Sequence, residues 1–209
     1  MGDAWRYSLK KEFDFSYKLL SLKNRSKLFF HSKYIDMPAL AASSNPAVVI
    51  VIESPHKDEY SYRKNFTPIA PAQGKTGEKI NSFFEVLFNK QIAKELAEHT
   101  IDELNVIICN PVQFQASLFL THRCPLTNPG VAAIRNRVWQ ELMAHDRLHF
   151  EARLIAYKPK IIINACTAKL KGEINRTIRE TKGLAPGLLY WADSHPCMWH
   201  SNTKFHKIG

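Results

Sequence analysis

The sequence predicts an α/β protein, a three-layer αβα sandwich around a four-stranded parallel sheet. Four short apolar runs are typical of strands buried on both faces, and segments with helical periodicity separate them. The 209 residues, 45% of them hydrophobic, are enough to form one core. Because strand and helix alternate, we expect right-handed crossovers and a single domain over residues 1–209.

The four strands are predicted over residues 47–53, 105–110, 160–165 and 187–193. Apolar residues at helical spacing predict one helix over 77–99 and another over 131–157. Asn-Pro pairs at 110–111 and 128–129 indicate an extended loop after the second strand.

The first 46 residues are predicted to form a basic helical extension that packs on the domain. Residues 1–34 contain eight Lys and Arg but three Asp and Glu, and their many aromatic side chains favour packing over a free tail. The net charge of +10 suits a polyanion such as DNA, although a basic surface that merely aids solubility explains the charge equally well.

Cysteine spacing and hydropathy exclude several classes. No Cys-x-x-Cys pair occurs, so we expect no metal, no iron–sulfur cluster and no cofactor. With no secretory signal and no apolar run that could cross a bilayer, we expect a monomeric, cytoplasmic protein without membrane contact, its thiols reduced.

The segment Gly74-Lys75-Thr76 looks like the end of a P-loop. The required earlier glycine is replaced by Ile69, and no strand directly precedes the loop, so an NTPase is not expected. Gly74 and Gly77 still allow a tight turn whose backbone amides, at a helix start, can hold a phosphate of a nucleic acid backbone.

Polar side chains lie at the ends of three of the four predicted strands. Glu53 ends the first, Asn110 ends the second, and His195 comes shortly after the fourth. Because the carboxyl ends of parallel strands share one edge of a sheet, we expect these groups to face one crevice. Structural alternatives remain open: Glu53 in an ion pair, His195 as a helix cap, and Asn110 stabilising the turn before Pro111.

The order of these segments resembles the uracil-DNA glycosylase superfamily, especially its thermostable bacterial and archaeal branch. Residues 52–59 (Ile-Glu-Ser-Pro-His-Lys-Asp-Glu) and 71–77 (Pro-Ala-Gln-Gly-Lys-Thr-Gly) resemble that branch's Gly-Glu-Ala-Pro-Gly and Pro-Phe-Val-Gly-x-Ala-Gly segments. Asn110 takes the place of the asparagine that reads the base, and residues 158–168 resemble the third-strand motif. His195-Pro196-Cys197 resembles the final His-Pro-Ser, so the likeness covers about residues 47–200.

This resemblance implies a monofunctional DNA glycosylase that hydrolyses an N-glycosidic bond and leaves an abasic site. His195 would donate a hydrogen bond to the pyrimidine O2, and Glu53 would stabilise the sugar cation and orient water. Met198 and Trp199 are candidates for the wedge that replaces a flipped nucleotide, although core packing explains Trp199 equally well. The other residues expected to contact DNA are Ser54, Gly74, Lys75, Thr76 and Cys197.

Departures from the family pattern bear on the base. Ala72 stands where the family has an aromatic residue that stacks on uracil, and His56 replaces a glycine or a tyrosine that excludes thymine. A larger pocket favours a bulky modified cytosine, such as the glucosylated hydroxymethylcytosine of phage DNA, and hence an antiviral defence role. Phe66 or Phe114 can instead supply the ring and restore a uracil pocket.

Three other functions remain open: an ordinary uracil-DNA glycosylase in base-excision repair, a catalytically silent DNA-binding protein, and a small-molecule or nucleotide hydrolase that uses the same crevice and would act on free nucleosides. The silent binder would depend on its lysines but not on Glu53 or His195. The nucleoside hydrolase would show little salt dependence. Since no lysine stands out as a Schiff-base nucleophile, β-lyase activity is not expected.

Overall fold

In the computed structural model, seven strands among the described residues form one mixed sheet. They are β1 (Asp14–Leu19), β2 (His31–Ser32), β3 (Ala47–Val51), β6 (Leu104–Cys109), β7 (Pro159–Asn164), β8 (Leu188–Ala192) and β9 (Phe205–Lys207). Their order across the sheet is β2-β1-β6-β3-β7-β8-β9, and β4 (Tyr60–Ser61) pairs separately with β5 (Thr67–Pro68). The structure describes residues 14–19, 31–32, 47–55, 59–61, 67–68, 72, 74–96, 104–113, 129–184 and 187–208.

The four central strands, β6, β3, β7 and β8, run parallel. The α/β class and these four strands are confirmed, but the expectation of a sheet with only four strands is wrong. Antiparallel strands extend both sides, β1 beside β6 and β9 beside β8. Without them β6 and β8 would each present a row of unpaired backbone groups.

In the described part of the chain, four helices accompany the sheet: α1 (Lys75–Gln91), α2 (Ala93–Leu96), α3 (Pro129–Tyr157) and α4 (Ala168–Glu180). The first predicted helix, over 77–99, is divided at Ile92 into α1 and α2, whereas the second, over 131–157, is one continuous helix. No helix in the described part of the chain is long and apolar enough to cross a membrane.

The helices cover both faces of the sheet. Side chains alternate along β3, so that Val48 and Ile50 pack with α1 on one face while Val49 and Val51 pack with α3 and α4 on the other. Because every residue of β3 is buried, its apolar run is continuous rather than alternating.

Residues 14–19 and 31–32 are strands, so the helical extension predicted for residues 1–46 is wrong at these two stretches. β1 pairs with β6 along its whole length, from Asp14 opposite Cys109 to Leu19 opposite Leu104. The N-terminal segment therefore adds β1 and β2 to the sheet beside β6. Residues 1–13, 20–30 and 33–46 lie outside the described part.

The topology creates a crevice between the carboxyl ends of β3 and β7. The chain leaves β3 toward α1 on one face and leaves β7 toward α4 on the opposite face. Neighbouring parallel strands whose connections diverge in this way leave an opening at their carboxyl ends, where ligands bind in α/β sheets. Polar groups at this edge are therefore candidates for function.

Candidate active site at the carboxyl edge of the sheet

Glu53 lies in the crevice, two residues after β3, and three groups hold it. Its Oε1 accepts the backbone N–H of Thr167 at 2.7 Å, and its Oε2 accepts Nη1 of Arg135 at 2.8 Å. Its backbone carbonyl accepts Nε1 of Trp139 at 2.9 Å. The two bonds to the carboxylate are charge-assisted, and since the Glu53 side chain is only 12% exposed, they form in a site from which water is partly excluded.

One face of α3 supplies two of these contacts. Arg135 and Trp139 are four residues apart and therefore lie one turn from each other on the same face of the helix. Trp139 is fully buried, so its indole fixes the backbone of Glu53 while Arg135 holds the carboxylate.

The turn after β7 presents the third contact. Thr167 is the N-cap residue of α4, so the Glu53 carboxylate lies at the positive end of that helix. Asn164 holds this turn, since its Oδ1 accepts the N–H of Cys166 at 3.1 Å and its Nδ2 donates to Asn175 at 2.7 Å. Burial raises the pKa of Cys166 well above its usual range, and its thiol donates to the carbonyl of Ile52 at 2.9 Å.

His195 begins the 3₁₀ turn Pro196–Met198, which follows β8. Its Nδ1 accepts the backbone N–H of Cys197 at 3.3 Å and lies 3.2 Å from the Cys197 Sγ. Burial raises the pKa of Cys197, so this group is a thiol at neutral pH. With Nδ1 acting as an acceptor, a neutral imidazole carries its proton on Nε2, which is then a hydrogen-bond donor.

The surroundings of His195 favour this neutral form. Burial lowers its pKa, and although the negative charge of Glu53 raises it, the positive charges of Arg135 and Lys171 lower it further. The net effect is a pKa below the ordinary value for histidine, so the imidazole is uncharged at pH 7. Glu53 is therefore close enough to His195 for its negative charge to act on the imidazole.

Lys171 is a buried cation beneath this edge of the sheet. Its Nζ donates to the carbonyl of Ala192, the last residue of β8, and lies 5.2 Å from the centre of the Trp191 ring. Burial lowers its pKa. The hydrogen bond to Ala192 fixes the point from which the His195 loop departs.

Asn110 follows β6 and is fully buried. Its backbone carbonyl accepts Nη2 of Arg153 at 2.9 Å and Nε2 of Gln113 at 3.2 Å. The N–H of Ile52 donates to the carbonyl of Cys109 at 3.0 Å, which sets the residues after β3 and β6 side by side. The structure thus brings Asn110 to the same edge of the sheet as Glu53.

The start of α1 has an unusual backbone. Gly74, its N-cap, has a φ of 98°, and Ala72 has a φ of 49°, both in the left-handed region. A Cβ at Gly77 would lie 1.9 Å from the Ala72 carbonyl oxygen, so only glycine permits this close approach. Ala72 itself belongs to the apolar core beside α1, so its methyl group does not form a free pocket wall.

Two residues expected to contact DNA lie in the first turn of α1. Lys75 is exposed and Thr76 is half-buried. The positive charge of Lys75 lowers the pKa of Cys197 against the larger effect of burial, and the 3₁₀ turn packs on α1. The helix start and the His195 loop are therefore neighbours.

The two wedge candidates have opposite environments. Met198 is 61% exposed, whereas Trp199 is fully buried. The Trp199 Nε1 donates to the carbonyl of Ser194 at 3.0 Å, and its ring meets the Phe205 ring edge-on at 5.4 Å. This placement corrects the wedge role expected for Trp199 and supports the packing alternative, leaving Met198 as the candidate.

Not every predicted site residue can be located. His56, Phe66 and Phe114 lie outside the described residues. Ser54 is half-buried next to Glu53. Within the described ranges, no three His, Cys, Asp or Glu side chains are grouped so that they could hold a metal ion.

The sequence analysis missed four residues that support the site: Arg135, Trp139, Thr167 and Lys171. Arg135 and Trp139 form an Arg-x-x-x-Trp pair near the start of a predicted helix, which is a usable signal only if that helix is known to face the crevice. Thr167 stands two residues after a predicted strand, and threonine is a typical helix N-cap residue. No family model matches this chain, and no curated protein or solved structure is significantly similar to it.

Proposed function

We propose that the protein is a monofunctional DNA glycosylase that hydrolyses the N-glycosidic bond of a flipped-out, non-standard pyrimidine. The observation that carries the proposal is that a fixed carboxylate, Glu53, and an imidazole, His195, lie at the same edge of the sheet. The Nδ1 of His195 is engaged as a hydrogen-bond acceptor. The product is DNA with an abasic site and a free base.

The chemistry requires two opposite poles. As the bond breaks, positive charge develops on the deoxyribose and negative charge on the departing base. A neutral His195 can donate its Nε2–H toward the O2 of the base, while the negative charge of Glu53 stabilises the sugar cation. A neutral imidazole is suited to this role because its N–H can stabilise the developing negative charge on the oxygen by a hydrogen bond, without transferring the proton.

Glu53 can also orient the attacking water. Each carboxylate oxygen accepts one hydrogen bond, from Thr167 or Arg135, and retains a further lone pair. The carboxylate is thus fixed in position yet still able to accept a hydrogen bond from water. Positioning of this kind contributes to catalysis because the reacting groups start in the productive geometry.

The surroundings of the site suit DNA. The net charge of +10 favours a polyanion, and Lys75 at the start of α1 lies next to the His195 loop. The exposed Met198 on that loop supplies an apolar group to fill the gap left by a flipped nucleotide.

The favoured substrate is a bulky modified cytosine, such as glucosylated hydroxymethylcytosine in phage DNA. Position 72 carries an alanine in place of the aromatic residue of the family pattern, so no ring from that position stacks on the base. Such a specificity implies a role in antiviral defence. Uracil excision in base repair is the second candidate substrate.

A catalytically silent DNA-binding protein is the alternative from another class. The ion pair between Glu53 and Arg135, whose side chain is 21% exposed, favours it because a salt bridge between a strand end and α3 needs no catalytic explanation. In that case the charge of Glu53 serves only the fold, and DNA binding depends on surface lysines.

Base release from a DNA panel tests the proposal. The panel contains uracil, a thymine mismatch, 5-hydroxymethylcytosine and glucosylated hydroxymethylcytosine, and strand breakage in alkali reports abasic sites. Glu53→Gln and His195→Ala should each abolish or strongly reduce release. Two exposed residues on α3 provide matched controls, Glu141→Gln and His145→Ala, which should behave like the wild type.

Each result of the panel has a definite meaning. Release from glucosylated DNA alone supports the modified-base glycosylase, and release from uracil DNA supports the repair enzyme. If no DNA loses a base while salt-sensitive DNA binding is intact, the enzyme proposal fails and the silent binder replaces it.

A further inference from the structure

Arg135 contacts the Glu53 carboxylate, and its positive charge also acts on His195. Its Nη1 binds Glu53 Oε2 at 2.8 Å, and its Nη2 lies 3.5 Å from the Thr167 Oγ1. Thr167 also binds the other oxygen of Glu53 through its backbone. The Arg135 guanidinium and the start of α4 therefore each bind one oxygen of the Glu53 carboxylate.

The arrangement addresses a physical difficulty. A carboxylate near an imidazole in a partly dry site tends to draw a proton onto the ring and form an ion pair with it. A protonated ring would carry a hydrogen on Nδ1, where the Cys197 N–H already points, and that hydrogen bond would be lost.

Within the described residues, charged groups that follow β3 or lie on α3 and α4 act on His195. Glu53 follows β3, Arg135 lies on α3 and Lys171 lies on α4, while Cys197 is a thiol in the same 3₁₀ turn. Lys75 on α1 acts on Cys197. Among these groups, only Arg135 both contacts Glu53 and acts on His195 within the described residues.

We propose that Arg135 is a positioning residue. By binding the carboxylate, it keeps Glu53 negatively charged and His195 neutral. This inference rests on the proposed glycosylase function. Arginine is suited to the task because its planar fork contacts Glu53 and Thr167 at once, whereas lysine supplies a single ammonium group.

Two substitutions separate charge from geometry. Arg135→Met removes the positive charge, whereas Arg135→Lys keeps the charge but loses the fork. Arg137→Met is the matched control, since Arg137 lies two residues away on α3, is 83% exposed and pairs with the exposed Glu141.

The primary measurement is the NMR titration of the His195 imidazole in the folded, DNA-free protein. In Arg135→Met the midpoint should move to higher pH, because the positive charge of Lys171 then opposes Glu53 without the help of Arg135. Arg135→Lys and Arg137→Met should stay near the wild-type midpoint. An unchanged midpoint in folded Arg135→Met would overturn the inference, because Arg135 would then be only a structural ion-pair partner.

A second variant covers the case in which Arg135→Met does not fold. Glu53→Gln removes the negative charge that raises the pKa of His195, so its titration midpoint should fall below that of the wild type. A midpoint that stays in place would mean that Glu53 and His195 are not coupled, and the inference would fail on that ground as well.

Excision kinetics provide the functional readout. Single-turnover rates across pH should show an acid limb displaced to higher pH in Arg135→Met but not in Arg135→Lys. Both variants should lose about 10- to 100-fold in the plateau rate, because Glu53 is no longer held in one orientation. If the wild type excises no base, the proposed function fails, whereas the titration still decides the role of Arg135.

Discussion

The Trp199→Ala substitution separates the two roles considered for this residue. The indole is fully buried, donates to the Ser194 carbonyl at 3.0 Å and packs edge-on against Phe205 at 5.4 Å. Truncation of a buried aromatic residue costs about 3–5 kcal/mol of unfolding free energy. For a domain of about 200 residues this corresponds to a Tm lower by about 6–20 °C, at roughly 2–4 °C per kcal/mol.

Thermal and urea unfolding followed by circular dichroism measure this loss. The urea midpoint should fall with the slope of the transition unchanged, which identifies a loss of stability rather than a change in the unfolded state. Met198→Ala, a neighbouring but exposed site, should stay within about 0.5 kcal/mol of the wild type. A Trp199→Ala protein that melts like the wild type but loses DNA activity would refute the core placement and restore the wedge role.

Four further predictions concern the site and its approach. Met198→Ala should slow base release from duplex DNA by about tenfold or more and leave single-stranded DNA nearly unaffected, since unstacking costs a few kcal/mol; single-turnover rates on both substrates decide this. Gly77→Ala should lower the unfolding free energy by about 1–3 kcal/mol in urea titrations, because the added Cβ collides with the Ala72 carbonyl; a wild-type midpoint would contradict the close contact. Lys75→Ala should weaken DNA binding equally for all sequences and reduce the slope of log K against log salt by about 1, measured by anisotropy; a loss confined to one sequence would argue against a phosphate contact. Excision should rise with pH through the lowered pKa of His195 and be fully active at pH 7, and a rate that instead falls between pH 5 and pH 7 would mean that the charged ring is the active form.

The sequence contained enough information for the central sheet but not for its edges. The four parallel strands are apolar throughout because they are buried on both faces, and this makes them visible as uninterrupted runs. β1 reads Asp-Phe-Ser-Tyr-Lys-Leu within a basic segment, and β9 has three residues, so neither stands out from its surroundings. Their assignment depends on pairing with β6 and β8, which is information from distant parts of the chain.

The same limit applies to the candidate site. Glu53, Asn110 and His195 could be grouped in advance because each follows a strand, and strand ends of a parallel sheet meet at one edge. Arg135 could not be chosen, since 82 residues separate it from Glu53 and an arginine on a helix is usually a solvated surface residue. The roles of Met198 and Trp199 were likewise undetermined, because adjacent apolar residues in a loop do not indicate which one turns inward.

The most direct test of the central proposal is mass spectrometry of the free base after incubation of the protein with DNA carrying each candidate pyrimidine. The glycosylase account predicts that an intact modified cytosine is released, leaving an abasic site in unbroken DNA, and that His195→Ala releases none while His145→Ala releases as much as the wild type. Intact DNA from every substrate, with the wild-type protein folded and bound to it, would contradict the account.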